Sequence, residues 1–299
     1  MIWVAITVFA AVMQGGRSGL QKHLSANADK TTANAARYIF GPPLLIFILV
    51  AEAGGLWSNM AWSPIFWLYC VLVAVFQILG TLFMLMVFSR KNFLIGVSFA
   101  RSEALLVALW GMIFFSEPLS WQGTLAVLGG VIGVFLVADI QAVFKNKKSW
   151  SITENGGTLA LGLASGGAFA LTAWFVRLAN QALEGSPFET AITTLALCNS
   201  IQLVMLLGYT AVRGQMRNFL EKVRKNRALV LWVGISSVLG SWGWFTAYAL
   251  MHPAYVKTVG QVEMIVALVI SQRLFKESLS VVEFCGIGLI VLSIVMLLL

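Results

Sequence analysis

The stretch Phe99–Val137, FARSEALLVALWGMIFFSEPLSWQGTLAVLGGVIGVFLV, decides the fold, because the chain contains it twice. From Val259 the sequence reads VGQVEMIVALVISQRLFKESLSVVEFCGIGLIVLSIVML. At one constant offset Glu103 falls on Glu263, Glu117 on Glu277, Leu119 on Leu279 and Ser120 on Ser280. The same offset carries Gly80 onto Gly240 and Phe88 onto Tyr248. Any two apolar segments resemble each other somewhat. Acidic residues are rare here, however, and their coincidence with an EPLS/ESLS turn marks an internal duplication.

Composition says what the two copies are made for. The chain has 299 residues, 59% of them hydrophobic and only 11% charged, with a mean hydropathy of +0.87. A soluble domain carries about 25% charged residues, so this chain is read as integral to a lipid bilayer. Cys70, Cys198 and Cys285 all lie in apolar runs, which suits packing and neither a disulfide framework nor a metal cluster. The net charge of +8 is assigned to cytoplasmic loops and not to nucleic acid. The chain is apolar from Ile2 with no basic leader, so its first segment is expected to be a retained span.

About 20 apolar residues cross a bilayer as a helix. Ten segments qualify: 2–22, 33–52, 64–88, 92–115, 121–138, 157–180, 188–211, 229–250, 255–274 and 280–298. They are called spans 1 to 10. Gly54-Gly55, Ser63-Pro64, Glu117-Pro118, Ser186-Pro187 and His252-Pro253 punctuate them. The expected fold is all-α and integral to the membrane: ten transmembrane helices as two five-helix repeats, 1–140 and 157–299, joined by a basic loop at 141–156. Five is odd, so the second repeat enters the membrane inverted. Lys and Arg agree: the loop between spans 2 and 3 has none, while its repeat mate has Arg213, Arg217, Lys222, Arg224, Lys225 and Arg227. The positive-inside rule then places the odd-numbered loops in the cytoplasm and both termini outside, in a bacterial inner membrane. Inverted repeats suit alternating access. There is no GxxxxGK[ST] phosphate loop, so a secondary transporter is the expectation.

The residues also resemble a known family. Glu117-Pro-Leu-Ser and Glu277-Ser-Leu-Ser each precede a Gly-rich last helix (Gly123, Gly129, Gly130 and Gly133; Gly286 and Gly288). Gln14-Gly15 through Lys22 is similar to a WGxxxxxxK pattern with Gln14 in place of Trp, and Arg37 stands where the second helix often carries Arg. With the span count and the duplication, the chain resembles the EamA-type ten-helix members of the drug/metabolite transporter superfamily. It departs from them at Ala104 and Met264, where Pro is usual. The resemblance implies export of a small metabolite or drug. It also implies a central cavity among spans 1–4 and 6–9, with spans 5 and 10 bracing it.

A charge at mid-membrane is about 2.5–3.5 kcal/mol unfavourable on insertion scales, so it marks function by default. Glu103 and Glu263 sit at equivalent repeat positions within spans 4 and 9. They are read as sites for a proton or a substrate ammonium, against the alternative of a permanent structural ion pair. Arg101 lies two residues from Glu103, about 200° around a helix, so it needs another partner: Glu263 or an anionic group of the cargo. Trp244 and Tyr248 share a helix face and with Trp174 are positioned to stack a flat or cationic cargo; packing or lipid contact explains them as well. Gln14 and Gln261 are polar positions inside spans, where interhelical hydrogen bonds are the alternative to cargo contacts. The expected cavity set is therefore Gln14, Arg101, Glu103, Trp174, Trp244, Tyr248, Gln261 and Glu263, with Glu263 and Glu103 coupling to a proton gradient. Arg17, Arg37 and Arg177 are expected to snorkel from helix ends, and His252 to serve a turn. Two histidines, no HExxH and no GxSxG argue against an intramembrane enzyme, and no metal or cofactor is expected. The partners are a small solute and the bilayer. The candidate cargoes are an amino acid or related zwitterion and an organic cation, and monomer and homodimer both remain open.

Overall fold

The computed structural model describes residues 1–51, 63–89, 103–137, 152–263 and 281–298. These form twelve α-helices: α1 (Ile2–Asn27), α2 (Lys30–Ala35), α3 (Gly41–Ala51), α4 (Pro64–Phe88), α5 (Glu103–Phe114), α6 (Trp121–Val137), α7 (Ile152–Gln181), α8 (Pro187–Val212), α9 (Met216–Lys225), α10 (Arg227–Leu250), α11 (Pro253–Gly260) and α12 (Val281–Leu298). Among the described residues four stretches are long and apolar enough to cross a bilayer: Pro64–Phe88, Ala160–Gln181, Pro187–Val212 and Arg227–Leu250. Large apolar side chains point outward, with Trp121 77% exposed and Phe47 68%. That surface suits lipid and would be unstable in water.

Local chemistry sets the boundaries. Ser186 and Glu189 form a reciprocal capping box at the start of α8, with Pro187 in its first turn. His252 Nδ1 accepts the Ala254 N–H at 3.1 Å to cap α11, which also begins with proline. Ser120, the last residue of the EPLS turn, accepts the Gly123 N–H at 3.0 Å and so opens α6. Gly214, at φ +63°, ends α8 in the left-handed region that glycine tolerates best.

Span 2 is not one continuous helix. Pro42 and Pro43 have no N–H to return to Tyr38 and Ile39, so the chain passes through turns over 36–40 between α2 and α3. There the backbone closes three-residue steps, Arg37 N–H to Asn34 O and Tyr38 N–H to Ala35 O. The loop between spans 7 and 8 contains a helix of its own, α9. Its Phe219 buries against Ala35, Tyr38 and Leu206 while its basic residues face outward.

The chain divides into two compact units. One comprises Met1–Leu82 and Thr172–Met251, the other Phe83–Leu171 and His252–Leu299. Each takes equivalent parts of both copies. Within the first unit α1 packs on α10 and α3 on α8, while Phe175 of α7 stacks on Tyr69 and Phe76 of α4. Within the second, α5 packs on α11 and α6 on α12. Exchanging the first and second copies carries α1–α10 onto α7–α4 and returns α3–α8 and α6–α12 to themselves, so the two-repeat architecture fits; the counterpart of α5–α11 lies outside the described residues. Close approach is visible at Gly133, where a Cβ would lie 2.8 Å from the Gly286 carbonyl and from Ile290. The expected bracing pair thus meets backbone to backbone.

Candidate functional site

The second unit gathers three of the expected residues. Glu103 opens the described part of α5. Its Oε1 lies 2.8 Å from Lys257 Nζ, and the two side chains are only 16% and 11% exposed. The helix starts at Pro253, directly after the His252 cap, so Lys257 falls in its second turn. Glu103 is therefore neutralised by a lysine on the repeat-mate segment. Gln261 stands one turn beyond Lys257, at the end of α11, where its backbone N–H turns back to Thr258 O. Its amide is buried, and neither its oxygen nor its nitrogen has a hydrogen-bond partner among the described residues. Two residues further, Glu263 is 5% exposed. Glu103 and Lys257 thus pair within the second unit, which also contains the buried Gln261 and Glu263.

At the end of that unit, His252 Nδ1 is occupied as an acceptor, which leaves Nε2–H to donate to the Glu117 carbonyl at 3.3 Å. Tyr255 packs against the imidazole and reaches Ser120. This cluster ties the EPLS turn to the start of α11 and matches the turn role expected for His252.

The first unit holds the aromatic residues. Trp244 and Tyr248 stack with ring centroids 5.9 Å apart and 23° between planes, as their four-residue spacing predicts. Trp174 is fully buried in α7. One turn on, Arg177 Nη1 donates to the Tyr248 carbonyl at 3.2 Å, and Asn180 Nδ2 donates to the Phe245 carbonyl at 3.0 Å. Gln14 is half-buried in α1. Arg101 lies outside the described residues, as do Glu277 and the remainder of spans 4 and 9.

Two arginines differ from expectation. Arg17 and Arg37 do not snorkel to a surface: they are 5% and 2% exposed. Arg37 is turned inward by the break at 36–40, and its Nη1 donates to Thr81 Oγ1. A signal for Arg17 existed in the sequence, since the duplication offset carries it onto Arg177. A second buried network joins Gln202 Nε2 to Gln77 Oε1 at 2.7 Å. Among the described residues no cluster of His, Cys, Asp and Glu is arranged to hold a metal.

A duplicated chain whose apolar helices are long enough to cross a bilayer defines an integral membrane protein. The chain belongs to the EamA-like transporter family: the family model matches residues 1–138 and again 144–299. It is thus a member of a family of small-molecule membrane transporters within the drug/metabolite transporter superfamily. One solved structure, described as "Crystal structure of protein", superposes with a TM-score of 0.68 at 12% identity, covering 99% of this chain and 96% of the other. That likeness is one of fold. No curated protein matches the sequence.

Proposed function

We propose that the chain is a secondary active exporter of small organic metabolites, with amino acids and related zwitterions as cargo. It works by alternating access between ten spans in two inverted repeats, 1–140 and 157–299. Both termini are outside and the basic odd-numbered loops are in the cytoplasm of a bacterial inner membrane. The observation that carries this reading is the pair Glu103 and Glu263: two acids one repeat apart, both withdrawn from solvent, one of them held by Lys257. A carboxylate so placed exchanges partners readily between a lysine, a proton and a substrate ammonium, because each neutralises the same buried charge. Glu263 and Glu103 carry proton coupling. Gln14, Gln261, Arg101, Trp174, Trp244 and Tyr248 complete the cargo contacts. Export of organic cations is the second reading, favoured by the stacked Trp244–Tyr248 pair.

Thermal unfolding in detergent against amino acids, organic cations, nucleotides and sugar phosphates tests this. A ligand specific to the folded state stabilises by about 2.7 kcal/mol at a hundredfold excess over Kd. A zwitterion whose stabilisation is lost in Glu263→Gln, and which shows counterflow in proteoliposomes, supports amino-acid export. Stabilisation by cations alone selects the second reading, and stabilisation by sugar phosphates alone removes both.

A further inference from the structure

The most deeply buried charge described in the first unit is Arg37. A guanidinium keeps its proton in any protein environment, and a buried ion without a counter-ion is strongly unfavourable. Arg37 is 2% exposed. Its Nη1 donates to Thr81, a neutral acceptor, and its charge lies 5.4 Å from the Tyr38 ring centroid. Its Nε has no acceptor, and it forms no ion pair among the described residues.

The surroundings are polar and incompletely satisfied. Asn34 Nδ2 donates to the Ile78 carbonyl at 3.1 Å, three residues before Thr81 on α4, and its Oδ1 has no donor. Gln77, next to Ile78, accepts from Gln202, whose own Oε1 has no donor. The Tyr38 hydroxyl is also without a partner. Asn34, Arg37, Gln77, Thr81 and Gln202 therefore make one buried layer between the break at 36–40, α4 and α8. Packing alone does not call for the cation: the duplication offset carries Arg37 onto Leu197, also buried. Tyr38 also packs under Phe219 of α9, so the layer lies beneath a helix carrying Arg217, Lys222, Arg224 and Lys225. A surface of that sign concentrates anions above it.

We propose that Arg37 binds the carboxylate of a small organic acid or amino acid. The guanidinium edge containing Nε presents two parallel donors, the geometry that matches the two oxygens of a carboxylate. One fixed positive charge balances one negative charge, whereas a phosphate dianion calls for more cations than this layer contains. The assignment rests on the solute-transporter reading and deepens it by naming a carboxylate contact within the first unit.

The test compares full-length wild type, Arg37→Gln, Arg37→Lys and Arg101→Gln in detergent. Melting is followed against amino acids and short carboxylates, their uncharged amides, organic cations and inorganic phosphate. The expected result is that carboxylates raise the wild-type Tm by several degrees and amides do not. Arg37→Gln abolishes the shift while its ligand-free Tm stays at or above wild type, and Arg37→Lys responds at least tenfold more weakly. If Arg37→Gln responds as wild type does and Arg101→Gln does not, Arg37 is not the site, although amino-acid export survives. A response to cations alone overturns both the site and that reading, and a response to phosphate alone replaces the ligand class and overturns the assignment. If Arg37→Gln melts early or fails to fold, and Arg37→Lys restores wild-type Tm with an undiminished carboxylate response, any cation at 37 suffices for structure and the proposal fails.

Discussion

Replacing Lys257 with methionine tests the Glu103–Lys257 pair of the second unit most directly. The variant keeps the length of the side chain and removes its charge, so Glu103 is left without the ammonium that now lies 2.8 Å away. Coulomb's law at that distance gives about 6 kcal/mol of attraction at an effective dielectric near 20. Desolvation of two ions in the intact pair offsets much of it, but deleting one partner leaves the other buried, which costs about 3–5 kcal/mol. The expected loss is therefore about 3 kcal/mol at pH 7. The double variant Lys257→Met with Glu103→Gln recovers most of it. Reversible unfolding in detergent, run as a double-mutant cycle, reads these differences. The reasoning is refuted if Lys257→Met loses less than about 0.5 kcal/mol at pH 7, the range of an exposed pair, or if the double variant recovers none of the loss.

Three further outcomes follow from the geometry. Asp29→Ala removes the cap on α2, where Asp29 accepts the Thr32 N–H at 2.6 Å and pairs with Lys222. The expected loss is about 1 kcal/mol by chemical denaturation, with little added by so exposed an ion pair. Partial burial pushes the Asp29 carboxyl up, but Lys222 and Thr32 outweigh it and hold it below its ordinary value. Its contribution is therefore present above about pH 4 and fades as the pH falls through the lowered value, so wild type and variant converge in acid. Gly133→Val forces Cγ atoms into the Gly286 carbonyl and Ile290, and overpacking of about 1–3 kcal/mol is expected as a lower Tm. Gly167→Ala, where an added Cβ meets nothing within 4 Å, is expected to be neutral or to gain up to about 1 kcal/mol from helix propensity; a loss beyond about 1 kcal/mol contradicts the open space there.

Much of the fold was legible because apolar runs here end in residues with distinct backbone chemistry. Pro64, Pro187 and Pro253 each sit in the first turn of a helix, as a residue without a useful N–H does. The stacking of Trp244 on Tyr248 followed from helical spacing alone. The break in span 2 was equally written in Pro42-Pro43, but hydropathy averages across it and reads the run as continuous. Taking Arg37 as a helix-end residue made snorkelling plausible. Only the placement of Thr81, far along the chain on α4, shows the side chain turned inward. Lys257 lies inside span 9, but nothing in its neighbourhood in the sequence points to Glu103. Neither its pairing with Glu103 nor the Gln77–Gln202 bond has any local signature, since each is set by how distant helices meet.

The contact pattern of the two copies also bears on how such a chain is made and where it came from. Residues up to 82 reach their partners only when 172–251 have been synthesised, and 83–171 wait for the closing segment 252–299. A nascent chain stopped at mid-length therefore holds helices whose partner faces are still to be made. The corresponding ancestor, a polypeptide of one repeat, would have needed a second copy of itself to supply the missing faces. Joining the two genes turned that encounter into an intramolecular one, and left each copy free to diverge, as Arg37 and Leu197 have.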